Sequence, residues 1–146
     1  MVRFQGSFEH TLDSKSRLTV PSEFRAALSD GVVLARPVHG QPCVTVWRTE
    51  EYEEFASSAI GGMPALSQRR SDLERFFYGK SVRTRLDSAG RVMIPPGLAG
   101  ECSIDRDVLV IGAGSRLELW NSDVWNEHQP ALNAALEEAT ALADAA

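Results

Sequence analysis

A segment that occurs twice is the feature of this chain that most limits its possible folds. Residues 12–21 read Leu-Asp-Ser-Lys-Ser-Arg-Leu-Thr-Val-Pro, and residues 86–95 read Leu-Asp-Ser-Ala-Gly-Arg-Val-Met-Ile-Pro. The similarity continues downstream, where residues 43–49 match residues 116–122 around a tryptophan in each copy. Two such copies predict a pseudo-two-fold fold that presents every feature twice. A symmetric partner, such as duplex nucleic acid, suits this arrangement better than a single small substrate.

Short apolar runs separated by turn residues predict an α+β fold with a small β-barrel-like core and peripheral helices. The tight segment between the first two strands, residues 13–16, contains Asp and Ser, which bond their own backbone in turns. Thr49 and Ser122 are the expected N-caps of two helices. We expect Pro130 to kink the last helix or to start a new one, and the last few residues to be frayed. The predicted strands are 7–12, 17–20, 32–35, 44–47, 82–86, 91–94, 108–111 and 117–120, and the predicted helices are 21–28, 49–60, 67–79, a turn after Pro95-Pro96 and a terminal helix.

The length of 146 residues and the apolar content of 43% predict one domain, residues 1–146, with enough material for a core. Repeat 1 is predicted over residues 7–53 and repeat 2 over residues 80–126. A helical connector, residues 54–79, joins them, and residues 127–146 form a C-terminal helix or tail. The three tryptophans and the sheet edges are expected to need cover from a second subunit.

The net charge of −5 is unusual for a nucleic-acid-binding protein, but the charge is distributed unevenly. Residues 1–48 carry six basic and four acidic side chains, and residues 69–91 carry seven and three. The excess of acid lies in residues 49–68 and 92–146. Positive charge is therefore concentrated around the two repeated turns, and local potential, more than net charge, attracts phosphate.

The sequence motifs typical of enzymes are incomplete or absent in this chain. We therefore expect no catalytic activity, cofactor, metal or small-molecule substrate. Gly112 and Gly114 follow a strand as in a dinucleotide-binding unit, but the third glycine is missing and a strand follows, so a strand-to-strand turn is expected. The histidines and cysteines lack ligand spacing. No apolar run approaches a membrane span, and the N-terminus lacks the apolar run of a leader. A cytoplasmic protein without disulfides is expected.

The repeated Asp-x-x-x-Arg has two interpretations. In the first, each aspartate caps backbone amides and pairs with its own arginine, which is a purely structural role. In the second, the cations contact DNA, because a turn alone does not require so many of them. We favour DNA contact for the basic side chains and assign Asp13 and Asp87 to holding the turns. The candidate DNA-binding residues are Lys15, Arg17, Arg83, Arg85 and Arg91.

The doubled motif, with a Trp-bearing strand and a capped helix after each copy, resembles the MraZ family over nearly the whole chain. The resemblance implies a bacterial transcriptional regulator built from two intertwined SpoVT/AbrB-like repeats. It implies sequence-specific binding to double-stranded DNA with direct repeats, upstream of the division and cell-wall gene cluster and at the protein's own promoter. It also implies a ring-like homo-oligomer associated with the nucleoid. Matched residue by residue, the DNA-binding face comprises Asp13, Lys15, Arg17, Asp87 and Arg91.

Two positions depart from the family pattern. Ser16 stands where a glycine is usual, so the first turn lacks the residue that adopts positive φ freely. Ala89 stands in copy two where copy one has Lys15, so the cation there must come from the neighbouring arginines. The two copies are therefore expected to contact DNA unequally.

Two other functions remain as alternatives. A non-catalytic, symmetric protein-interaction or assembly module would use the same basic turns to bind acidic partners. A small hydrolase would use Asp13 and Asp87 as paired carboxylates. The neighbouring arginines disfavour the hydrolase, since they keep both carboxylates ionised and unsuited to donating a proton.

Overall fold

The computed structural model describes residues 3–145, which form an α+β domain. Each repeat contributes a strand, an Asp-containing turn, a short strand, a short helix, two longer strands and a helix. The strands are β1 (Phe4–Thr11), β2 (Arg17–Thr19), β3 (Val32–Ala35), β4 (Cys43–Arg48), β5 (Val82–Thr84), β6 (Arg91–Met93), β7 (Asp107–Gly114) and β8 (Leu117–Asn121). The helices are α1 (Ser22–Arg25), α2 (Thr49–Ile60), α3 (Gln68–Glu74) with a π-helical extension (Arg75–Gly79), α4 (Pro96–Glu101) and α5 (Ser122–Ala145).

The eight strands form two antiparallel sheets. The larger has the order β1-β7-β8-β4-β3-β5, and the smaller is the β2–β6 ribbon. The repeats exchange strands, because β1 of repeat 1 pairs with β7 of repeat 2, and β5 of repeat 2 pairs with β3 of repeat 1. The predicted intertwining of the two copies is therefore present.

A pseudo-two-fold axis relates the two repeats. In the ribbon, Leu18 lies opposite Val92, its own counterpart in the other copy. In the larger sheet, Thr45 lies opposite its counterpart Glu118. The axis passes through both pairs, and it maps the strand order of the larger sheet onto itself. The duplicated sequence has thus produced a duplicated structure.

The larger sheet is covered on both faces. On one face, apolar residues of both repeats pack beneath the ribbon and beneath α1 and α4, with Leu18 and Val92 buried at the centre. On the other face, a second cluster forms between β3, β4, α2 and the π-helical segment around Trp47, Tyr52 and Phe77. The first cluster holds the ribbon on the surface of the sheet, which leaves the outward side of the ribbon exposed.

The structure corrects two predictions about the sheet. The expected barrel-like core is not closed, since β1 and β5 lie at opposite ends of an open sheet. Only one of the two glycines belongs to the expected turn: Gly114 has positive φ and lies between Ala113 and Arg116, where the Ala113 amide donates to the Arg116 backbone oxygen at 2.9 Å. Gly112 lies inside the strand instead, where any Cβ would collide with the backbone of Gln5 on β1.

The helix ends also differ from the predictions. Thr49 is the first residue of α2 and makes no capping hydrogen bond. Asn121, not Ser122, caps α5, and its Oδ1 accepts hydrogen bonds from the backbone amides of Asp123 and Val124 at 2.8 and 3.1 Å. Pro130 lies inside α5 and does not start a new helix, and α5 extends to Ala145, where fraying was expected. The predicted repeat boundaries at 53/54 and 126/127 fall within α2 and α5. None of the helices in residues 3–145 combines the length and apolar character of a membrane span.

Candidate nucleic-acid interface

The two Asp-containing turns have the same geometry. Asp13 Oδ1 accepts hydrogen bonds from the backbone amides of Lys15 and Arg17, both at 2.9 Å. Its Oδ2 accepts one from Arg17 Nε at 2.6 Å. In the second turn, Asp87 accepts the equivalent bonds from the Ala89 and Arg91 amides at 3.0 and 2.9 Å, and from Arg91 Nε at 2.8 Å. Each aspartate therefore bonds the backbone of its turn and the side chain of its arginine.

These hydrogen bonds keep both aspartates ionised. The backbone amide of Arg17, followed by its side chain and the Lys15 amide, lowers the pKa of Asp13 from 3.8 to about 2. The corresponding Arg91 amide lowers the pKa of Asp87. Because Nε of each arginine is bonded to its aspartate, contacts to a ligand fall to the two terminal nitrogens. Within residues 3–145, no hydrogen bond engages the terminal nitrogens of Arg17 or Arg91.

The β2–β6 ribbon places both arginines on one surface. Leu18 and Val92 point inward and are buried, so their neighbours along each strand point outward. Arg17 pairs with Met93 across the ribbon, and Thr19 pairs with Arg91. These four side chains form the outward face of the ribbon. The Asp13 turn lies at one end of this face and the Asp87 turn at the other.

The remaining candidates lie near the turns in different ways. Lys15 is exposed within the first turn. Arg83 lies on β5, and Arg85 lies between β5 and the second turn; both are exposed. The equivalent residues before the first turn are Glu9 and Thr11, so only the second turn has arginines on its approach. The two turns are thus alike in geometry and different in surrounding charge.

Two arginines beside the turns were missed by sequence reasoning. Arg25, on α1 of repeat 1, packs over Gly90 of the second turn, and its Nε donates to the backbone oxygen of Val20 at 2.9 Å. Arg106 accepts a hydrogen bond from the Leu12 amide at 2.8 Å through its backbone oxygen, which places this exposed residue beside the first turn. Each comes from the other repeat. No local pattern could have indicated them, because both contacts arise where strands of the two repeats pair, β1 with β7 for Arg106 and β2 with β6 for Arg25.

The geometry does not support paired carboxylate chemistry. Asp13 and Asp87 lie at opposite ends of the ribbon, and each already accepts three hydrogen bonds. Cys43 and Cys102 are free but buried, and burial raises the pKa of both thiols, which disfavours the reactive thiolate. Among residues 3–145, no cluster of three His, Cys, Asp or Glu side chains is arranged to hold a metal ion.

Trp47 and Trp120 do not need a second subunit for cover, contrary to the prediction, whereas Trp125 is only half-buried. Trp47 and Trp120 are buried within the chain, each against an aromatic residue of the helix that follows its strand. Trp47 packs edge-to-face on Tyr52 at 5.8 Å between ring centroids, and Trp120 packs likewise on Trp125 at 5.1 Å. Three large apolar side chains are exposed on α5, where Leu132, Leu136 and Leu142 are 40, 57 and 68% exposed.

Comparisons with known proteins find similarity to one family along almost the whole chain. A family model described as "MraZ protein, putative antitoxin-like" matches residues 3–71 and again residues 77–145, which is one match for each repeat. The protein named Transcriptional regulator MraZ from Paenarthrobacter aurescens is 38% identical, over 92% of both chains. Its namesake from Micrococcus luteus is 38% identical, also over 92% of both chains. The one from Thermoanaerobacter pseudethanolicus is 32% identical over 91% of both chains.

Proposed function

The chain belongs to the MraZ family of transcriptional regulators, and from this premise we propose that it binds double-stranded DNA sequence-specifically through the ribbon and its two turns. One observation carries the proposal. Arg17 and Arg91 are held in the same way, on the same outward face, by aspartates related by the pseudo-two-fold axis. A two-stranded antiparallel ribbon is narrow enough to enter the major groove of B-DNA.

The chemistry of the face fits nucleic acid. A guanidinium whose two terminal nitrogens point outward can donate to a phosphate or to the O6 and N7 atoms of guanine. Lys15, Arg83 and Arg85 surround the two turns with further cations, which suits contacts to phosphates. Part of the excess negative charge of the chain lies on α5, which contains acidic residues and neither lysine nor arginine. The negative net charge therefore does not oppose binding at the ribbon.

The proposal extends to assembly and target. The chain acts as a homo-oligomer, ring-like in form, that places several ribbons on direct repeats in DNA. Its operator lies upstream of the division and cell-wall gene cluster that includes its own promoter, and the protein works in the cytoplasm at the nucleoid. The exposed leucines of α5 support self-association, because apolar side chains of this size gain most from cover by a neighbour. In this proposal the repeats are SpoVT/AbrB-like, which agrees with their exchange of strands.

A salt-dependent titration tests the proposal. The full chain is titrated with a duplex from upstream of its own gene cluster and with a scrambled duplex of the same composition. We expect tighter binding of the promoter duplex and a steep linear fall of log K with log salt concentration, because phosphate contacts release counterions. Equal binding of both duplexes and of an acidic peptide would instead favour a protein-interaction module.

A further inference from the structure

The outward face of the ribbon is symmetric in its cations and asymmetric in its neutral side chains. The pseudo-two-fold axis exchanges Arg17 with Arg91, and it exchanges Thr19 with Met93. Met93 is 57% exposed, and it is a large apolar side chain among two arginines and a threonine. Isolated exposed apolar residues are common on protein surfaces. This one occupies one of only four outward positions on the surface assigned to DNA.

The two arginines alone cannot distinguish one half of a binding site from the other. Each is held by an aspartate through Nε, and each presents the same two terminal nitrogens. Any difference in base preference must come from their neighbours. Met93 lies opposite Arg17, beside the first turn, while Thr19 lies opposite Arg91, beside the second turn.

These two neighbours have different chemistry towards base edges. A threonine hydroxyl both donates and accepts hydrogen bonds, so it tolerates several bases, and the threonine methyl group lies two bonds nearer the backbone than the end of a methionine side chain and reaches less far into the groove. The methionine side chain is flexible and apolar, and its thioether is only a weak acceptor. Of the groups exposed in the major groove, the C5-methyl of thymine is the one that an apolar side chain contacts favourably.

We propose that Met93 is a specificity-determining residue, which contacts a thymine methyl group in the half-site bound by Arg17. Thr19 occupies the equivalent position in the half-site bound by Arg91 and imposes no such preference. The inference rests on the proposed function and adds that the protein binds its DNA site in one orientation. The two halves of the recognised sequence differ, and the thymine requirement lies on the Arg17 side.

The test is selection of duplexes from a randomised pool by the full chain and by three variants. Wild type should enrich thymine about fourfold over cytosine at one position, the effect expected for burial of one methyl group. Met93→Thr should lose this enrichment and keep the other positions and the salt dependence. Thr19→Met should gain thymine enrichment in the opposite half. Leu66→Thr is the matched control, because Leu66 is a fully exposed apolar residue in the connector, and it should select as wild type does.

The outcomes separate the inference from the function on which it rests. If Met93→Thr and Thr19→Met both select the wild-type sequences, the inference is wrong and the proposed function stands. If Met93→Thr changes the oligomer size measured by light scattering and leaves base selection intact, Met93 serves assembly and the inference is again wrong. If wild type enriches no sequence, the proposed function fails and this inference fails with it. Should Met93→Thr not fold, Thr19→Met alone decides the result.

Discussion

Ser16 and Gly90 occupy equivalent positions in the two turns, and both have positive φ, 58° and 76°. Each backbone oxygen accepts a hydrogen bond across the ribbon, from Ile94 to Ser16 and from Val20 to Gly90, both at 2.9 Å. The first turn thus keeps the shape that glycine favours while carrying a side chain. The two turns tolerate a side chain at this position to different degrees. Arg25 packs over Gly90 in the second turn, whereas its counterpart in the second repeat is the small residue Ala99.

Ser16→Gly should stabilise the protein. The left-handed conformation costs an L-residue about 1–2 kcal/mol, and part of that gain is offset by the greater freedom of glycine in the unfolded chain. We expect the free energy of unfolding to rise by up to about 1 kcal/mol in urea titrations. Ser14→Gly is the control, because Ser14 lies in the same turn without positive φ, and it should be neutral or destabilising. A loss of stability in Ser16→Gly would contradict the account of this turn.

Gly90→Ala should destabilise the protein, for two reasons. The new Cβ would lie 2.5 Å from Arg25 Nε, and the residue would retain positive φ. We expect a loss of about 1–3 kcal/mol in the free energy of unfolding. Gly97→Ala is the matched control, since a Cβ on Gly97 of α4 meets nothing within 4 Å. Equal stabilities of the two variants would contradict both reasons.

The pKa of Asp13 should be set mainly by the hydrogen bond from the Arg17 backbone amide. Its pKa is lowered from 3.8 to about 2, so its contribution to stability is complete above pH 3.8 and is lost as the pH falls towards 2. In Arg17→Gln, NMR titration of the carboxyl carbon should give a pKa between these values, because the amide of residue 17 still donates. Asp87 is the internal control, and its pKa should not change, since it lies at the other end of the ribbon. An unshifted Asp13 in the wild-type protein would contradict the described turn.

Assembly should depend on the exposed leucines of α5. Light scattering at low micromolar concentration should give a mass several times that of one chain. The double variant Leu132→Glu, Leu136→Glu should lower that mass, because it adds charge to a helix that is already acidic. Leu66→Glu should leave the mass unchanged, since Leu66 is fully exposed on the connector. A wild-type mass equal to one chain would disprove the oligomer.

Local features of the fold were predictable from the sequence, and long-range features were not. The turns at Asp13 and Asp87 were predictable, because an aspartate side chain that bonds its own backbone favours a turn at that point of the sequence. The N-cap of α5 was predicted one residue too late, at Ser122. Asn121 and Ser122 are both good capping residues, and only the backbone geometry selects Asn121.

Strand exchange explains the remaining differences. The sequence indicated two copies, but it did not show that β1 would pair with β7 and β5 with β3. The β1–β7 pairing brings Arg106 beside the first turn, and the β2–β6 ribbon brings Arg25 over the second turn, where no sequence spacing could place them. The burial of Trp47 is instead local, since α2 follows β4 directly and places Tyr52 against the Trp47 ring.

Arg91→Ala should weaken DNA binding less than Arg17→Ala does. The second turn has Arg83 and Arg85 on its approach, so its phosphate contacts are partly redundant. We expect a similar loss of affinity for operator and scrambled duplexes and a salt slope reduced by about 1. If Arg91→Ala erases discrimination and Arg17→Ala retains it, the ranking of the two turns is inverted.

The most direct test of the central claim is the ratio of affinities for promoter and scrambled duplexes, measured for wild type and for Arg17→Ala at physiological salt. Arg17→Ala should fold normally, because an exposed ion pair contributes about 0–1 kcal/mol to stability. Loss of the arginine contact should cost about 1–3 kcal/mol per subunit, repeated across the subunits on adjacent sites, so specific binding should disappear. Arg69→Ala, which removes an exposed cation from α3, should keep the wild-type ratio. A folded Arg17→Ala protein with the wild-type ratio would contradict the assignment of the ribbon as the DNA-binding surface.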